Sequence, residues 1–307
     1  MRQLPVPFEI DLNLSLLDAL KARAYDVVHF HTSPVFLSQP FAKRTNLPNV
    51  FTLHGVTTEL ERRLNKTFDS ENNHYVSISD YQRGNYPGLT FVKTILHGLD
   101  PGRYPFEPVG NENLVSVGRI KRIKGTVEAV QVANAENKKL TLAGDIRSSD
   151  AGYFYDEIQP LINQSMGNVT YLGMVDYDKV VKVYSDAKAF IFPLQWEEPF
   201  GLVLIESMAT GTPVIAFARG SIPEVVEDGV TGFIVNPSDS DIRGDWIIKK
   251  TGVEGMREAV RKVYAMPEKD YRSMRSKTRQ HFEKHFTIER MAEDYESVYE
   301  EVVKSSV

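Results

Sequence analysis

Two glutamates, Glu198 and Glu206, flank a turn within residues 193–213, the part of the sequence richest in chemistry-capable groups. An apolar run ends at Leu194, and the pattern predicts a helix that begins close to Gly201. The first N–H groups of a helix have no partner inside it and favour an anion or hydroxyl groups. Because carboxylates accept hydrogen bonds from vicinal hydroxyls, the pair is suited to an elongated, hydroxyl-bearing ligand. The alternative is a solvated turn followed by a surface helix position.

A second candidate site is the stretch between Gly118 and Gly125, which reads GRIKRIKG. It follows an apolar run and precedes a helical pattern, and it carries the cations Arg119, Lys121, Arg122 and Lys124. Cations at the end of a strand and the start of a helix are suited to a diphosphate. The stretch lacks both the P-loop pattern and the glycine pattern of dinucleotide-binding domains. A solvated basic turn is the alternative for this cluster taken alone.

The seven histidines are the remaining chemistry-capable set. His29 and His31 end a predicted strand, and we expect hydrogen-bonded strand-end residues rather than metal ligands, since no third ligand is near in sequence. His54 follows the next strand and His97 a later one, both in turn-like surroundings. His281 and His285 lie four residues apart in a late helix, but without the zincin pattern they are expected on the helix surface. No metal site is predicted.

Composition limits the function further. The chain has 307 residues, a formal net charge of −5 and no cysteine. The charge balance argues against a dedicated nucleic-acid binder, and the missing cysteines exclude disulfides and thiolate chemistry. We expect a cytoplasmic protein, because the sequence has no membrane-spanning run, no polybasic segment and no signal-peptide core.

The elements that must position these residues alternate between short apolar runs and amphipathic segments. The predicted strands of the later part are 114–120, 140–144, 169–172, 189–194, 213–218 and 232–235, and helical patterns at 126–137, 153–166, 179–187 and 202–209 lie between them. Such alternation is typical of a doubly wound parallel α/β domain.

The first hundred residues show a shorter version of the same pattern. Helices are predicted over 12–22 and 35–45, and strands over 25–30, 49–53, 75–78 and 92–96. A Pro, Gly and Asn-rich stretch, 100–111, is predicted to link two domains, and helices are expected near 253–265, 268–285 and 288–303. The predicted domains are 1–107 and 108–286, with residues 287–307 completing the first.

Several motifs in order resemble glycosyltransferase family 4, the retaining "group 1" glycosyltransferases with the GT-B fold. The segment from Glu198 to Glu206 resembles the family's Glu-x7-Glu signature, with Phe-Gly after the first acid. Further matches are Gly118-Arg119 with Lys124-Gly125, the stretches 208–214 and 220–233, His97-Gly-Leu-Asp100, and, more weakly, 26–31, 52–55 and 77–79. The resemblance implies two Rossmann-like domains, the N-terminal one abridged.

The resemblance also implies roles for individual residues in transfer from a nucleoside-diphosphate sugar (UDP- or GDP-linked) without a metal or other cofactor. Arg119 and Lys124 would hold the donor diphosphate, Glu206 the ribose and Glu198 the transferred sugar. The backbone at Phe200, Gly201 and Leu202 would contact sugar hydroxyls or phosphate, and Met174 and Val175 would flank the base. His54 would act at the reacting sugar, giving the catalytic set His54, Glu198, Arg119 and Lys124.

The N-terminal part departs from the family pattern. Members normally begin with a strand, a glycine-rich loop and a helix well upstream of the match at Asp26, whereas here 25 residues precede it and none is glycine. We therefore expect a short sheet with an open edge, completed by a partner chain or a second copy, and an acceptor that the sequence does not identify. A partner-dependent or non-catalytic nucleotide-sugar-binding subunit is the main alternative, and a sugar-nucleotide epimerase lacks the necessary acid and base residues.

Overall fold

The computed structural model describes residues 6–22 and 24–305 of the chain. Their contacts form two compact units, one up to His97 together with the helical residues from Glu289, and the other Gly98–Ile288. The observed division lies at 98, whereas the sequence led us to place it at 108. Two arginines explain the difference: Arg275 Nε donates to the Glu107 carbonyl and Arg279 Nη1 to the Tyr104 carbonyl, both at 2.7 Å. Residues 1–5, 23, 306 and 307 of the predicted first domain lie outside the described residues.

The first unit contains a four-stranded parallel sheet in the order β1-β2-β3-β4. Its strands are β1 Val28–Phe30, β2 Asn49–Thr52, β3 Asn73–Ser77 and β4 Phe91–Thr94. Its helices are α1 Val6–Ala22, α2 Gln39–Ala42, α3 Glu59–Phe68, α4 Asp80–Arg83 and the C-terminal helix Ile288–Ser305, with a 3₁₀ turn at Val35–Leu37. The sheet is short and β1 lies at one edge of it.

Both faces of this sheet are covered. One face carries Phe30, Phe51 and Tyr75, against which Leu16 and Leu20 of α1 pack. The other face carries Val50, Val76 and Ile95, and Tyr295, Val298 and Val302 of the C-terminal helix pack against it. Each fully buried aliphatic side chain contributes about 1.5–3 kcal/mol of hydrophobic stabilisation. The C-terminal helix is therefore a structural part of the first unit.

The second unit contains a six-stranded parallel sheet in the order β10-β9-β8-β5-β6-β7. Its strands are β5 Asn113–Val117, β6 Lys139–Ala143, β7 Val169–Tyr171, β8 Ala189–Phe192, β9 Val214–Phe217 and β10 Gly232–Val235. Its α-helices are α5 Thr126–Ala135, α6 Ala151–Tyr153, α7 Gln159–Gln164, α8 Tyr177–Asp186, α9 Leu202–Ala209, α10 Ile222–Val225, α11 Gly252–Tyr264 and α12 Glu268–His285.

The strand order of the second unit reverses direction between β5 and β8. From β5 the chain winds outward through β6 and β7, and then returns to add β8, β9 and β10 on the other side. In open α/β sheets, ligands bind in the crevice beyond the carboxyl ends of the strands at such a switch point. The prediction of a doubly wound α/β domain is confirmed, and its switch point lies between the two loops that the sequence singled out.

Several helices differ from the predicted ones: α1 begins at Val6 rather than at residue 12, and α4 and α10 were not predicted. The stretch 35–45 divides into a 3₁₀ turn and the short helix α2. Pro40 lies in the first turn of α2, a position where proline favours the start of a helix. The stretch 153–166 contains a π-helical turn, Phe154–Ile158, immediately before α7, which has Pro160 in its first turn. Helix α3 was not predicted from the sequence, although Thr58 and Glu61 form a capping box, a pattern typical of the start of a helix.

Candidate functional site

The two loops at the switch point are held directly against each other. The N–H of Gln195, after β8, donates to the carbonyl of Ile123, after β5, at 2.9 Å. Gly125 has φ 74°, and a Cβ there would lie 1.9 Å from the Pro193 carbonyl oxygen. Only glycine allows this conformation together with this approach. The sequence GRIKRIKG therefore ends in glycine because the second loop packs against its backbone.

Lys124 and Glu198 form an ion pair across these loops. Lys124 Nζ lies 2.8 Å from Glu198 Oε2, and the two side chains are only 19 % and 13 % exposed. Trp196 Nε1 donates to the same carboxylate oxygen at 3.1 Å. The Lys124 ammonium also lies 5.4 Å from the Trp196 ring and 5.5 Å from the Phe192 ring. The structure thus brings together two of the predicted site residues, one cationic and one acidic, in a partly dehydrated setting.

The cations of the first loop do not act as one group. Arg119 is exposed and has no hydrogen bond or ion pair with any residue in the described ranges. Arg122 turns away to pair with Glu157 and lies 4.7 Å over the Tyr153 ring. The three cations therefore differ in their partners: Arg122 is engaged by Glu157 and Tyr153, Lys124 by Glu198, and Arg119 by no side chain of the described ranges.

Glu197, which was not among the predicted site residues, is the centre of a charge network. It accepts from Arg219 Nη1 at 2.9 Å, from Arg243 Nη1 at 2.8 Å and from the Gly220 N–H at 2.7 Å. Burial raises its pKa, but the hydrogen bonds from Arg243, Arg219 and Gly220 outweigh that and hold the pKa below its usual value. Asp241 pairs with both arginines. No local signal could reveal this network, because Arg243 lies 46 residues beyond Glu197 in the chain.

The helix after the turn begins as predicted. Gly201 adopts φ 90° at the N-cap of α9, and Leu202 follows it as an exposed first residue. The buried Phe200 keeps its carbonyl engaged by Ser221 Oγ at 2.9 Å. The turn between β8 and α9 is therefore anchored on its far side by the loop after β9, which leaves the helix start at the sheet edge.

Glu206 lies within α9 and is half-buried rather than a surface position. Tyr184 Oη donates to its Oε2 at 3.4 Å. Burial raises the pKa of Glu206, and the hydrogen bond from Tyr184 opposes this only in part. A half-buried carboxylate with one weak donor retains capacity to accept from a ligand hydroxyl.

Met174 and Val175 lie in the loop after β7, at the same edge of the sheet. Hydrogen bonds connect this loop to the loop that begins at Gly118. The Gly144 N–H, after β6, donates to the Gly173 carbonyl at 2.9 Å, and the Gly118 N–H, after β5, donates to the Ala143 carbonyl at 3.0 Å. Met174 is 80 % exposed. An apolar side chain exposed at a polar sheet edge can cover the flat face of a ring.

In the first unit, the carboxyl edge of the sheet gathers histidines. His31 Nδ1 and His54 Nε2 lie 2.9 Å apart, and His29 contacts Tyr299 Oη at 2.7 Å and Thr52 Oγ1 at 2.8 Å. The prediction that His29 and His31 are hydrogen-bonded strand-end residues is confirmed. Burial is the main cause that lowers the pKa of His29 and His54 to about 3, with neighbouring histidines adding to it.

His281 and His285 are half-buried rather than on the helix surface, and His281 Nδ1 lies 3.7 Å from Glu227 Oε2. Their ring centroids lie 4.9 Å apart, and the His281 Nε2 contacts the Val225 carbonyl at 3.1 Å. Among residues 6–22 and 24–305, no three His, Asp or Glu side chains are arranged to hold a metal ion. Within the same ranges, no helix has both the length and the apolar character needed to cross a bilayer.

Comparisons with known proteins relate this chain to glycosyltransferases. Residues 105–249 match the family described as "Glycosyl transferases group 1". An alpha-maltose-1-phosphate synthase of Mycobacterium tuberculosis is 27 % identical over 271 residues, which cover 76 % of this chain and 70 % of that protein.

Solved structures are similar to this chain over both units, and their low sequence identities establish a shared fold only. A sucrose-phosphate synthase from Thermosynechococcus elongatus superposes with a TM-score of 0.76 at 21 % identity, covering 98 % of this chain and 81 % of that one. An Anabaena protein in complex with UDP and glucose gives 0.77 at 17 % identity, covering 97 % and 84 %. These neighbours are GT-B glycosyltransferases, and the predicted fold is confirmed.

Proposed function

We propose that this chain transfers a sugar from a UDP- or GDP-sugar to an acceptor hydroxyl, with retention of configuration. The proposal is supported by the match of residues 105–249 to the group 1 glycosyl transferases and by the GT-B fold of the chain. The observation that carries this proposal is the Lys124–Glu198 pair at the switch point of the second sheet, where Lys124 lies in the same loop as Arg119. The acceptor is a separate question. We propose the cytoplasm as the place of action, in keeping with a sequence without cysteine.

The diphosphate is assigned to Arg119 and Lys124. In the transfer, the bond between the anomeric carbon and a diphosphate oxygen breaks, the acceptor oxygen bonds to the same carbon, and the proton of the acceptor hydroxyl passes to the departing diphosphate. Negative charge then grows on the departing diphosphate, and fixed cations beside it lower the barrier. Arg119 offers a planar fork that binds two oxygens at once, and Lys124 offers a point charge. We propose that these two side chains do this without a metal ion.

Glu198 is assigned to the transferred sugar. Its carboxylate is shared between Lys124 and Trp196, so its position is set before any ligand arrives. A carboxylate has about four lone-pair sites, and the second oxygen remains able to accept from sugar hydroxyls. The backbone at Phe200, Gly201 and Leu202 is proposed to contact the same sugar or the phosphate.

The nucleoside is assigned to two further elements. Glu206 is proposed to accept from the ribose hydroxyls, which agrees with its half-buried position inside α9. Met174 and Val175 are proposed to flank the base, which agrees with the exposure of Met174. His54 of the first unit is proposed to act at the reacting sugar.

Binding tests the donor assignment directly. Thermal unfolding and titration calorimetry with UDP, GDP and their glucose and mannose conjugates should identify one base, because a ligand that binds only the folded state stabilises it. Arg119→Ala, Lys124→Ala and Glu206→Ala should each weaken that binding, whereas Arg122→Ala should not. Equal affinities for all four variants and the native chain would reject the assignment.

Turnover tests the transfer. The purified chain should hydrolyse or transfer the sugar of the donor that binds, at the same rate with and without EDTA. Donor binding with no turnover, even after candidate partner chains are added, would point instead to a nucleotide-sugar-binding subunit.

A further inference from the structure

The contact between His31 and His54 imposes a rule on where their protons lie. The two rings follow adjacent parallel strands, β1 and β2, and their nitrogens Nδ1 and Nε2 lie 2.9 Å apart. At this distance one nitrogen must carry a hydrogen and the other must not. If His31 donates, both rings carry their proton on Nδ1. If His54 donates, both carry it on Nε2. The contact therefore forces the two histidines into the same tautomer.

The same contact decides which atom of His54 is left for a substrate. Its Nε2 is engaged by His31, so Nδ1 is the ring nitrogen that remains. Because the hydrogen bond also restrains rotation of the ring, His54 is held in one orientation, and its tautomer is coupled to that of His31.

His31 is itself held by groups behind it. Its ring lies 4.1 Å, centroid to centroid, from the ring of His29. Both nitrogens of His29 are engaged, Nδ1 by Tyr299 Oη and Nε2 by Thr52 Oγ1, and Thr52 Oγ1 also contacts Tyr295 Oη at 2.8 Å. The two tyrosines come from the C-terminal helix. A chain of contacts thus runs from that helix through His29 and His31 to His54, all inside the first unit.

Neutral rings are needed for this arrangement. Protonation of both His31 and His54 would set two N–H donors and two like charges against each other, and His97 lies on the far side of His54 with its ring centroid 5.6 Å away and nearly parallel. Burial, then the neighbouring His31 and Arg290, lower the pKa of His97 to about 4. The pKa of His31 is lowered too, by burial.

We propose that His31 is a positioning residue for His54: its Nδ1 fixes the tautomer and the ring orientation of His54, so that Nδ1 of His54 is presented for the transfer reaction. The inference rests on the proposed function only in the last step, the use of His54 in transfer. The pairing of tautomers is a property of the first unit whether or not transfer occurs.

Nuclear magnetic resonance of the full chain, with ring ¹⁵N-labelled histidine, tests the pairing without any substrate. In the native chain, the long-range ¹H–¹⁵N spectra of His31 and His54 should show one and the same tautomer. In His31→Phe, which keeps a ring against His29 but removes the nitrogen, His54 should change to a mixture of tautomers. Opposite tautomers in the native chain, or an unchanged His54 spectrum in His31→Phe, would overturn the proposal.

Kinetics test the positioning. His31→Phe should lower kcat about tenfold, the effect of roughly 1.4 kcal/mol in the barrier, with the KM for the donor unchanged. His31→Asn, whose amide places a hydrogen-bonding atom near the position of Nδ1, should recover most of kcat. The matched control is His74→Phe in β3 of the same unit, which should leave kcat unchanged. Equal kcat in the native chain and His31→Phe, or equal losses in the Phe and Asn variants, would contradict the role of the nitrogen.

Failure of the proposed function and failure of the positioning role give different results. If the native chain turns over no donor, the proposed function fails, while the tautomer spectra still decide the His31–His54 pairing. If turnover is normal but the spectra show independent tautomers, the positioning role fails and the proposed function stands.

Discussion

The two units of this chain each place a cluster of polar side chains at one edge of a parallel sheet, but the clusters differ in charge. Each cluster lies at or next to the carboxyl edge of a parallel sheet. In the first unit the cluster consists of neutral imidazoles joined by hydrogen bonds and ring contacts. In the second it consists of opposite charges, with Lys124 on Glu198, and Arg219 and Arg243 on Glu197.

The difference shows what each cluster can tolerate. Neutral rings packed together resist gaining a proton, so the first cluster depends on pH. Paired charges resist losing a partner, and an added anion is attracted to a cation that no carboxylate neutralises, such as Arg119 among the described residues. The following four predictions test this contrast.

Removal of a buried charge should have the largest effect, and it concerns the second unit. Arg275 is fully buried and donates to the carbonyls of Glu107, Ala187 and Ser185. Arg275→Met should lower the free energy of unfolding by about 3–5 kcal/mol, because those buried carbonyls lose their donors. Urea unfolding measures this. Arg272→Met, on the exposed side of the same helix, is the control and should stay within about 0.5 kcal/mol. A loss below about 1 kcal/mol for Arg275→Met would show that water replaces the arginine.

Loss of the His54 ring should separate catalysis from donor binding. His54→Ala should lower kcat about 100-fold, the lower end of what a positioned imidazole contributes, while the Kd of the nucleoside diphosphate stays within about twofold. Steady-state rates and calorimetry measure the two quantities. Equal loss of rate and affinity would remove His54 from the transfer step.

Loss of the Lys124 charge should weaken the diphosphate specifically. Lys124→Met should raise the Kd of UDP or GDP about tenfold or more, since it removes a cation and also leaves the Glu198 carboxylate unpaired beside the phosphates. Calorimetry measures this, and Arg122→Met should stay within about twofold because Arg122 is engaged by Glu157. The double variant Lys124→Met with Glu198→Gln should bind the diphosphate better than Lys124→Met alone. If it binds no better, the unpaired carboxylate is not the cause.

Acidification should weaken the first unit before the second. The pKa of His29 and His54 is lowered to about 3 and that of His97 to about 4, chiefly by burial, whereas an unfolded histidine titrates near 6.5. The unfolded chain therefore binds protons below about pH 6.5 that the folded unit does not, and stability falls as pH falls from about 6.5 toward 3. Between pH 7 and 5 each of these histidines should cost about 1 kcal/mol after allowance for solvent.

Amide hydrogen exchange measures this acid effect strand by strand. Protection of β1 and β2 should decrease at pH 5, after correction for the intrinsic rate, while that of β5 and β8 should not. Equal decreases in the two sheets would contradict the contrast between neutral and charged clusters.

Much of the second unit was predictable because its signals are local. The apolar runs lead to six parallel strands, and the glycines and charges at their ends mark the loops of the switch point. The first unit was less predictable: α3 was overlooked despite its capping box, and residues 98–107 joined the second unit because Arg275 and Arg279 hold their carbonyls.

By itself, the sequence determined the strand pattern, the glycine positions and which residue types stand at each strand end, since these follow from neighbours along the chain. Only the tertiary structure decided which of those residues interact with each other. Glu197, and not Glu198, pairs with Arg219 and Arg243. Arg122 pairs with Glu157, and His31 is hydrogen-bonded to His54. The physical reason is that hydrogen bonds and ion pairs depend on separations of a few ångströms between side chains. Those separations are set by strand register and loop packing over tens of residues, which no local pattern records.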